Sequence, residues 1–168
     1  GVRRSGDSDV PGAYTFRRGI FLFDITDPLD PQGKDFLLED TATKGQFKQL
    51  QFSGSTLFAL VTRQAQGKGP AIISYSIDSV GKLHEVSTFD AFSSGFSYSG
   101  FTVQGDRAYV MGTNGNPGAD YLNSHVATFD ISNPSAISKI GDAVLLDTTF
   151  HNCKSSLSGI SAVSQQLY

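Results

Sequence analysis

Three histidines, one cysteine and short runs of carboxylates are the residues of this 168-residue chain whose types suit chemistry. His84 and His125 fall in strand-like runs and His151 in the loop His151-Asn-Cys-Lys154. A thiol beside an imidazole can act as a nucleophile or as part of a metal site. His151 and Cys153 have no third ligand at a usable spacing, so Cys153 reads as a small packed side chain. A lone cysteine also excludes an intrachain disulfide and a Cys-rich metal cluster. Serine is abundant, yet no Gly-x-Ser-x-Gly turn exposes one as a nucleophile; Ser93-Ser94-Gly95 and Ser97-Tyr98-Ser99-Gly100 have turn composition. Gln66-Gly-Lys-Gly-Pro70 lacks the hydroxyl after lysine and the helix that a phosphate loop needs, and is read as a hairpin tip. Acids, bases and ligands nowhere converge in the sequence, so no catalytic or cofactor-binding residue is assigned.

Carboxylates gather at Asp24, Asp27, Asp30 and Asp35 and again at Asp7 and Asp9. Calcium needs six to eight oxygens on a tight loop, and Asp27-Pro-Leu-Asp30 lacks the alternating spacing of a calcium loop. Turn caps are the expected role, with Asp7, Asp9, Asp27, Asp30, Asn114 and Asp120 the residues that would hold Ca²⁺ if a loop does bind it. Phe16, Phe21, Phe23, Phe47, Phe52, Phe58, Phe89 and Phe129 are assigned to packing between sheets. The segment 89–98 puts four aromatics into a Gly- and Ser-rich stretch. Its Phe92, Phe96 and Tyr98, with Leu167 and Tyr168 near the other end, are the candidates for partner contact, and for the segment a core role is favoured over a binding one.

These residues need elements to position them. Charged residues are 17% of the chain and glycines number 18, a balance that favours turns and strands over long salt-bridged helices. Thirteen basic residues against sixteen acidic ones, scattered apart from short pairs, argue against a nucleic-acid groove. No apolar run is long enough for a transmembrane helix. Pro11-Gly-Ala-Tyr-Thr-Phe-Arg-Arg-Gly-Ile-Phe-Leu-Phe-Asp-Ile-Thr-Asp-Pro28 aligns without a gap on Pro117-Gly-Ala-Asp-Tyr-Leu-Asn-Ser-His-Val-Ala-Thr-Phe-Asp-Ile-Ser-Asn-Pro134, 106 residues later. A degenerate copy, Ile73-Ser-Tyr-Ser-Ile-Asp78, lies midway, with Tyr75 in the place of Phe23 and Phe129. The complementary half also repeats: Phe52-Ser-Gly-Ser-Thr-Leu-Phe-Ala-Leu-Val61 matches Val103-Gln-Gly-Asp-Arg-Ala-Tyr-Val-Met-Gly112, and 158–168 matches 99–109. A period of about 53 residues built from short strands and Gly, Asn, Asp or Pro turns fits one four-stranded propeller blade. One unit reads as strands at roughly 99–104, 107–112, 125–131 and 138–146.

Phe21-Leu-Phe-Asp-Ile-Thr-Asp-Pro28 and Val126-Ala-Thr-Phe-Asp-Ile-Ser-Asn-Pro134, with Tyr109-Val110 before the second, resemble the LVIVD-type β-propeller repeat. The middle copy, Tyr75-Ser-Ile-Asp-Ser-Val-Gly-Lys-Leu83, is instead similar to blades of lactonase-like and YVTN propellers. It carries Ser76 where the motif has its central Asp, and Gly-Lys where it has Asp-Pro. The LVIVD resemblance implies an all-β propeller, mostly secreted or at the cell surface, without an assigned activity.

The phase of the repeat divides the chain into a half-blade over 1–43 (the last two strands of a unit), full blades over 44–95 and 96–150, and a half-blade over 151–168 (the first two strands). Three blades fall short of the four to eight that close a ring. The expectation is therefore an incomplete propeller segment, continued by the remainder of its own propeller or by a second copy joined head to tail. The start at Gly1 without an apolar leader fits a processed chain or an excised piece. The leading functional expectation is a non-catalytic interaction scaffold, extracellular or at the cell surface, meeting other protein or glycan surfaces. A lactonase-like hydrolase fragment and a structural shell or filament subunit are the alternatives.

Overall fold

A computed structural model describes residues 18–63, 66–93, 95–114 and 123–144, together with the backbone of the short strands at 162–163 and 166–167. The described residues form four antiparallel sheets. β1 (Gly19–Asp24) pairs with β2 (Gln32–Leu38). β3 (Gln46–Ser53), β4 (Thr56–Thr62), β5 (Ala71–Ile77) and β6 (Leu83–Asp90) form one four-stranded meander. β7 (Phe96–Gln104), β8 (Arg107–Asn114), β9 (Asn123–Asp130) and β10 (Ser138–Val144) form a second, and β11 (Ala162–Val163) pairs with β12 (Gln166–Leu167). The all-β expectation holds, and the four strands read for one unit fall on β7 to β10. Each lies within three residues of its predicted ends.

The repeat reappears as geometry. β3 and β4 join through a two-residue loop with Ser53 opposite Thr56, and β7 and β8 through the matching loop with Gln104 opposite Arg107. The first loop residue is Gly54 in one (φ 56°) and Gly105 in the other (φ 53°), a left-handed conformation that glycine adopts without a Cβ penalty. Val163 faces Gln166 in the same register. Bulges recur too: Lys48 in β3 and Ser99 in β7 are each inserted against an unbroken β4 or β8, and Lys34, Val86 and Ile140 are inserted in β2, β6 and β10. Period-two reading of the sequence cannot see such insertions, because each one shifts the alternation by a residue.

The shared Phe-Asp-Ile-[Thr/Ser]-[Asp/Asn]-Pro run has a mechanism. Asp24 Oδ1 accepts the Thr26 N–H at 3.0 Å and the Thr26 hydroxyl at 2.6 Å, and Asp27 Oδ1 accepts the Leu29 N–H at 3.0 Å. Asp130 does the same for Ser132, at 3.0 and 2.7 Å, and Asn133 for the Ser135 N–H at 3.0 Å. In the middle copy Asp78 Oδ1 instead accepts the Val80 and Lys82 N–H groups, with Gly81 at φ 87° turning the chain. The carboxylates therefore end each third strand by capping the turn, as Asx turns do.

These caps set an acid sensitivity. Hydrogen bonds from the Thr26 hydroxyl and N–H hold Asp24 down to about 2 from its ordinary 3.8, and those from the His84 side chain and the Lys82 N–H hold Asp78 down to about 2. A carboxylate with a lowered folded pKa stabilises fully above its unfolded value and loses that contribution as pH falls through the folded one. Urea midpoints are therefore expected to fall between about pH 4 and pH 2, and the Asp24→Asn/Asp78→Asn double variant to fall less steeply there. Superimposable acid limbs would contradict the assignment.

The sheets pack on their faces. Leu57, Ala59, Val61, Ala71, Ile73 and Tyr75 of β4 and β5 face Ile20 and Leu37 of the first sheet. Phe58, Leu60 and Ile72, on the opposite face of the same two strands, join Phe101, Ala108, Val110, Ala127 and Phe129 of the next sheet. Central strands are thus buried on both sides, which explains the unbroken apolar run Leu57-Phe-Ala-Leu-Val61. Polar locks sit between the two meanders: Gln51 Oε1 accepts the Val103 N–H at 2.9 Å, Ser53 Oγ donates to Gly105 O at 2.7 Å, and Ser74 and Ser87 both donate to Pro134 O, at 2.7 and 2.6 Å. Strand β3 lies next to β7, and β7 next to β11.

One expectation needs correction. Phe58 and Phe129 are fully buried, and Phe47 and Phe89 pack against the core, but Phe21, Phe23 and Phe52 are 44%, 53% and 53% exposed. Among the described residues no neighbouring sheet covers them. Phe16 lies outside the described residues.

Candidate functional site

Of the residues assigned to calcium, Asp7, Asp9 and Asp120 lie outside the described residues, and Asn114 is described only as backbone of β8. Asp27 is exposed and engaged as a turn cap, and the Asp30 N–H closes the same turn onto Asp27 O at 3.2 Å. Among the described residues no three His, Cys, Asp or Glu side chains converge as a metal site would require. His84 pairs with Asp78 at 2.8 Å and His125 with Asp142 at 3.1 Å. Burial pushes Asp142 up, but hydrogen bonds from Lys139 and His125 outweigh it and the carboxyl ends below its ordinary value. His151 and Cys153 lie outside the described residues.

The aromatic segment serves mostly as core. Phe96 is buried, and its ring stacks on Phe92 at 3.8 Å. Phe92 meets Phe129 edge-on at 5.8 Å and carries the Lys139 ammonium 5.5 Å above its ring. Tyr98 is half-buried against the same cluster, and burial pushes its phenol up from its ordinary value. Little of Phe92 and Phe96 is left to offer a partner. Leu167 is described only as backbone of β12, and Tyr168 lies outside the described residues.

Two surfaces stand out instead. The first is the face of β1 and β2 turned away from β3 to β6. Phe21 stacks on Phe36 at 4.1 Å and lies 6.5 Å from Phe23, and Ile25 beyond them is 70% exposed. Phe23, Tyr75 and Phe129 occupy one position of the repeat. Tyr75 is 1% exposed and Phe129 0%, each covered by the sheet before it; Phe23 is 53% exposed. Ile25 corresponds to Ile131, which is 3% exposed. The same position is therefore core in two sheets and surface in the first.

The second is a cleft of about 110 Å³ where the start of β3, the end of β4 and the start of β7 meet. Lys48, Arg63 and Lys68 line it with Ser97, Tyr98 and Phe96. Arg63 is 6% exposed; its Nε donates to Gly69 O at 3.2 Å and its Nη1 meets Asp90 at 2.7 Å.

Comparison with family models, curated proteins and solved structures finds no match for this chain. The surfaces are therefore interpreted from their own chemistry. The sequence did not signal the cleft, because Lys48 reaches it from a bulge and Lys68 from a loop whose glycines suggest only a turn.

Proposed function

We propose that this chain is a non-catalytic scaffold of the β-propeller type, similar to LVIVD-repeat proteins and working outside the cell or at its surface, whose first sheet receives a further sheet from a second copy. The observation that carries the reading is the contrast between Phe23 and its repeat partners Tyr75 and Phe129. A position buried in two equivalent sheets and open in the third is one that an equivalent sheet covers on assembly. Large apolar patches of this kind mark interaction surfaces. Support for the propeller arrangement comes from the order β3, β7, β11, which sets the first strands of successive sheets side by side, and from the recurring bulges. Head-to-tail contacts between the open face of one copy and an equivalent sheet of another close into a ring when the rotation allows.

Size-exclusion chromatography with light scattering is expected to show concentration-dependent association of the 168-residue chain. Phe23→Asp should abolish it while leaving the melting temperature of the monomer near its original value, because the side chain is already half in water. A monodisperse, cooperatively melting 18.0 kDa species at every concentration would overturn the second copy as occupant.

A further inference from the structure

We propose that the cleft between β3, β4 and β7 binds the anionic group of a small acid, a carboxylate or a phosphate. Among the described residues three cations line it and no carboxylate does. Asp90 answers the charge of Arg63 from outside the cleft lining, and among the described residues no acid pairs with Lys48 or Lys68. With Arg63 answered by Asp90, the uncompensated charge of the cleft is that of Lys48, whose ammonium donates to Gln46 Oε1 at 3.0 Å, and of Lys68, and an anion in the cleft would offset it.

The fold builds this placement. The bulge at Lys48 re-aims a side chain that regular alternation would send elsewhere, a common use of bulges beside binding sites. Arg63 is held in place by Gly69 O and Asp90, so its guanidinium is preorganised rather than drawn from a mobile ensemble. Close approach fixes the neighbouring loop, since a Cβ on Gly69 would lie 2.2 Å from the carbonyl oxygens of Phe92 and Ser93. Thr62, Ser97 and Tyr98 add hydroxyl donors, and Phe96 supplies an apolar wall. The volume holds several water molecules, which suits one oxyanion and a few attached carbons. Solvent reaches Lys48 and Lys68, which limits the affinity to the order of 1 mM.

The test is a titration of the ¹⁵N-labelled 168-residue chain with inorganic phosphate, glucuronate and, as the uncharged control, glucose, at low ionic strength. Saturable shifts of the Ser97 and Tyr98 amides are expected with at least one anion and none with glucose. Which anion binds separates a phosphate from a carboxylate source. Lys48→Gln and Lys68→Gln, both on exposed side chains, should keep the fold and each weaken binding by ~3-fold, with the double variant ~10-fold weaker. Physiological salt should weaken binding further. Absence of saturable shifts with both anions, equal binding of glucose, or unchanged affinity in the folded double variant would each overturn the proposal.

Discussion

Phe129→Ala is expected to cost ~3–5 kcal/mol of stability, while Phe23→Ala, at the same position of the repeat, costs under ~1 kcal/mol in the monomer. Phe129 is fully buried between two meanders and meets Phe89 and Phe92 edge-on, both at 5.8 Å. Truncation there removes the transfer free energy of the ring, two aromatic contacts and the packing around a cavity that stiff β-sheets close only partly. Phe23 keeps more than half its surface in water and among the described residues has one ring partner, Phe21. Urea unfolding of the two variants at a concentration below association measures the difference directly, and a melting temperature lower by ~10 °C for Phe129→Ala is the corresponding thermal result. Equal losses at the two positions would show that the first sheet is already covered in the monomer, contrary to the structure. Above the association concentration the Phe23 variant should also lose the added stability that assembly confers on the unaltered chain.

Gly112→Ala is expected to destabilise by ~3 kcal/mol although it adds a single methyl group. Gly112 lies in β8 between Tyr98 of β7 and His125 of β9. A Cβ there would lie 2.4 Å from the Phe96 ring and 2.4 Å from Ser97 O. The ring stacks on Phe92 and the carbonyl belongs to a paired strand, so neither moves without breaking contacts of its own. Gly141→Ala is the control: a Cβ there meets Thr128 at an ordinary 3.8 Å, and a change below ~0.5 kcal/mol is expected. Thermal melts of the two variants decide the point, and a Gly112 variant as stable as the Gly141 variant would refute the steric account.

The strand order of one unit was legible from the alignment of residues 11–28 with 117–134, because turn chemistry there is local: Asp24 and Asp130 cap the residue two positions on, and glycine at 54 and 105 fits a loop needing positive φ. Which aromatic side chains are core was legible only in part. Phe21, Phe23 and Phe52 have the composition and spacing of buried residues, and whether they are buried depends on which sheet stands in front of them, which no local pattern encodes. For Phe92 and Phe96 the Gly- and Ser-rich context left a core role and a partner-contact role both open, and the two rings stack into the core. The basic cleft was illegible because its cations come from residues 48, 63 and 68, brought together by a bulge and a loop.

The recurring bulges of β2, β6 and β10 bear on how the protein avoids aggregating. Each of these strands is the last of its sheet and shows one side without a paired strand among the described residues. Such an edge is a template on which a stray strand can grow. An inserted residue at the same place in all three, Lys34, Val86 and Ile140, breaks the even spacing of N–H and C=O groups along the edge and twists it locally. A stray strand could match the edge on one side of the insertion but not across it. The chain thus discourages indiscriminate edge-to-edge growth while leaving the Phe21–Phe23 face available for a partner of defined shape.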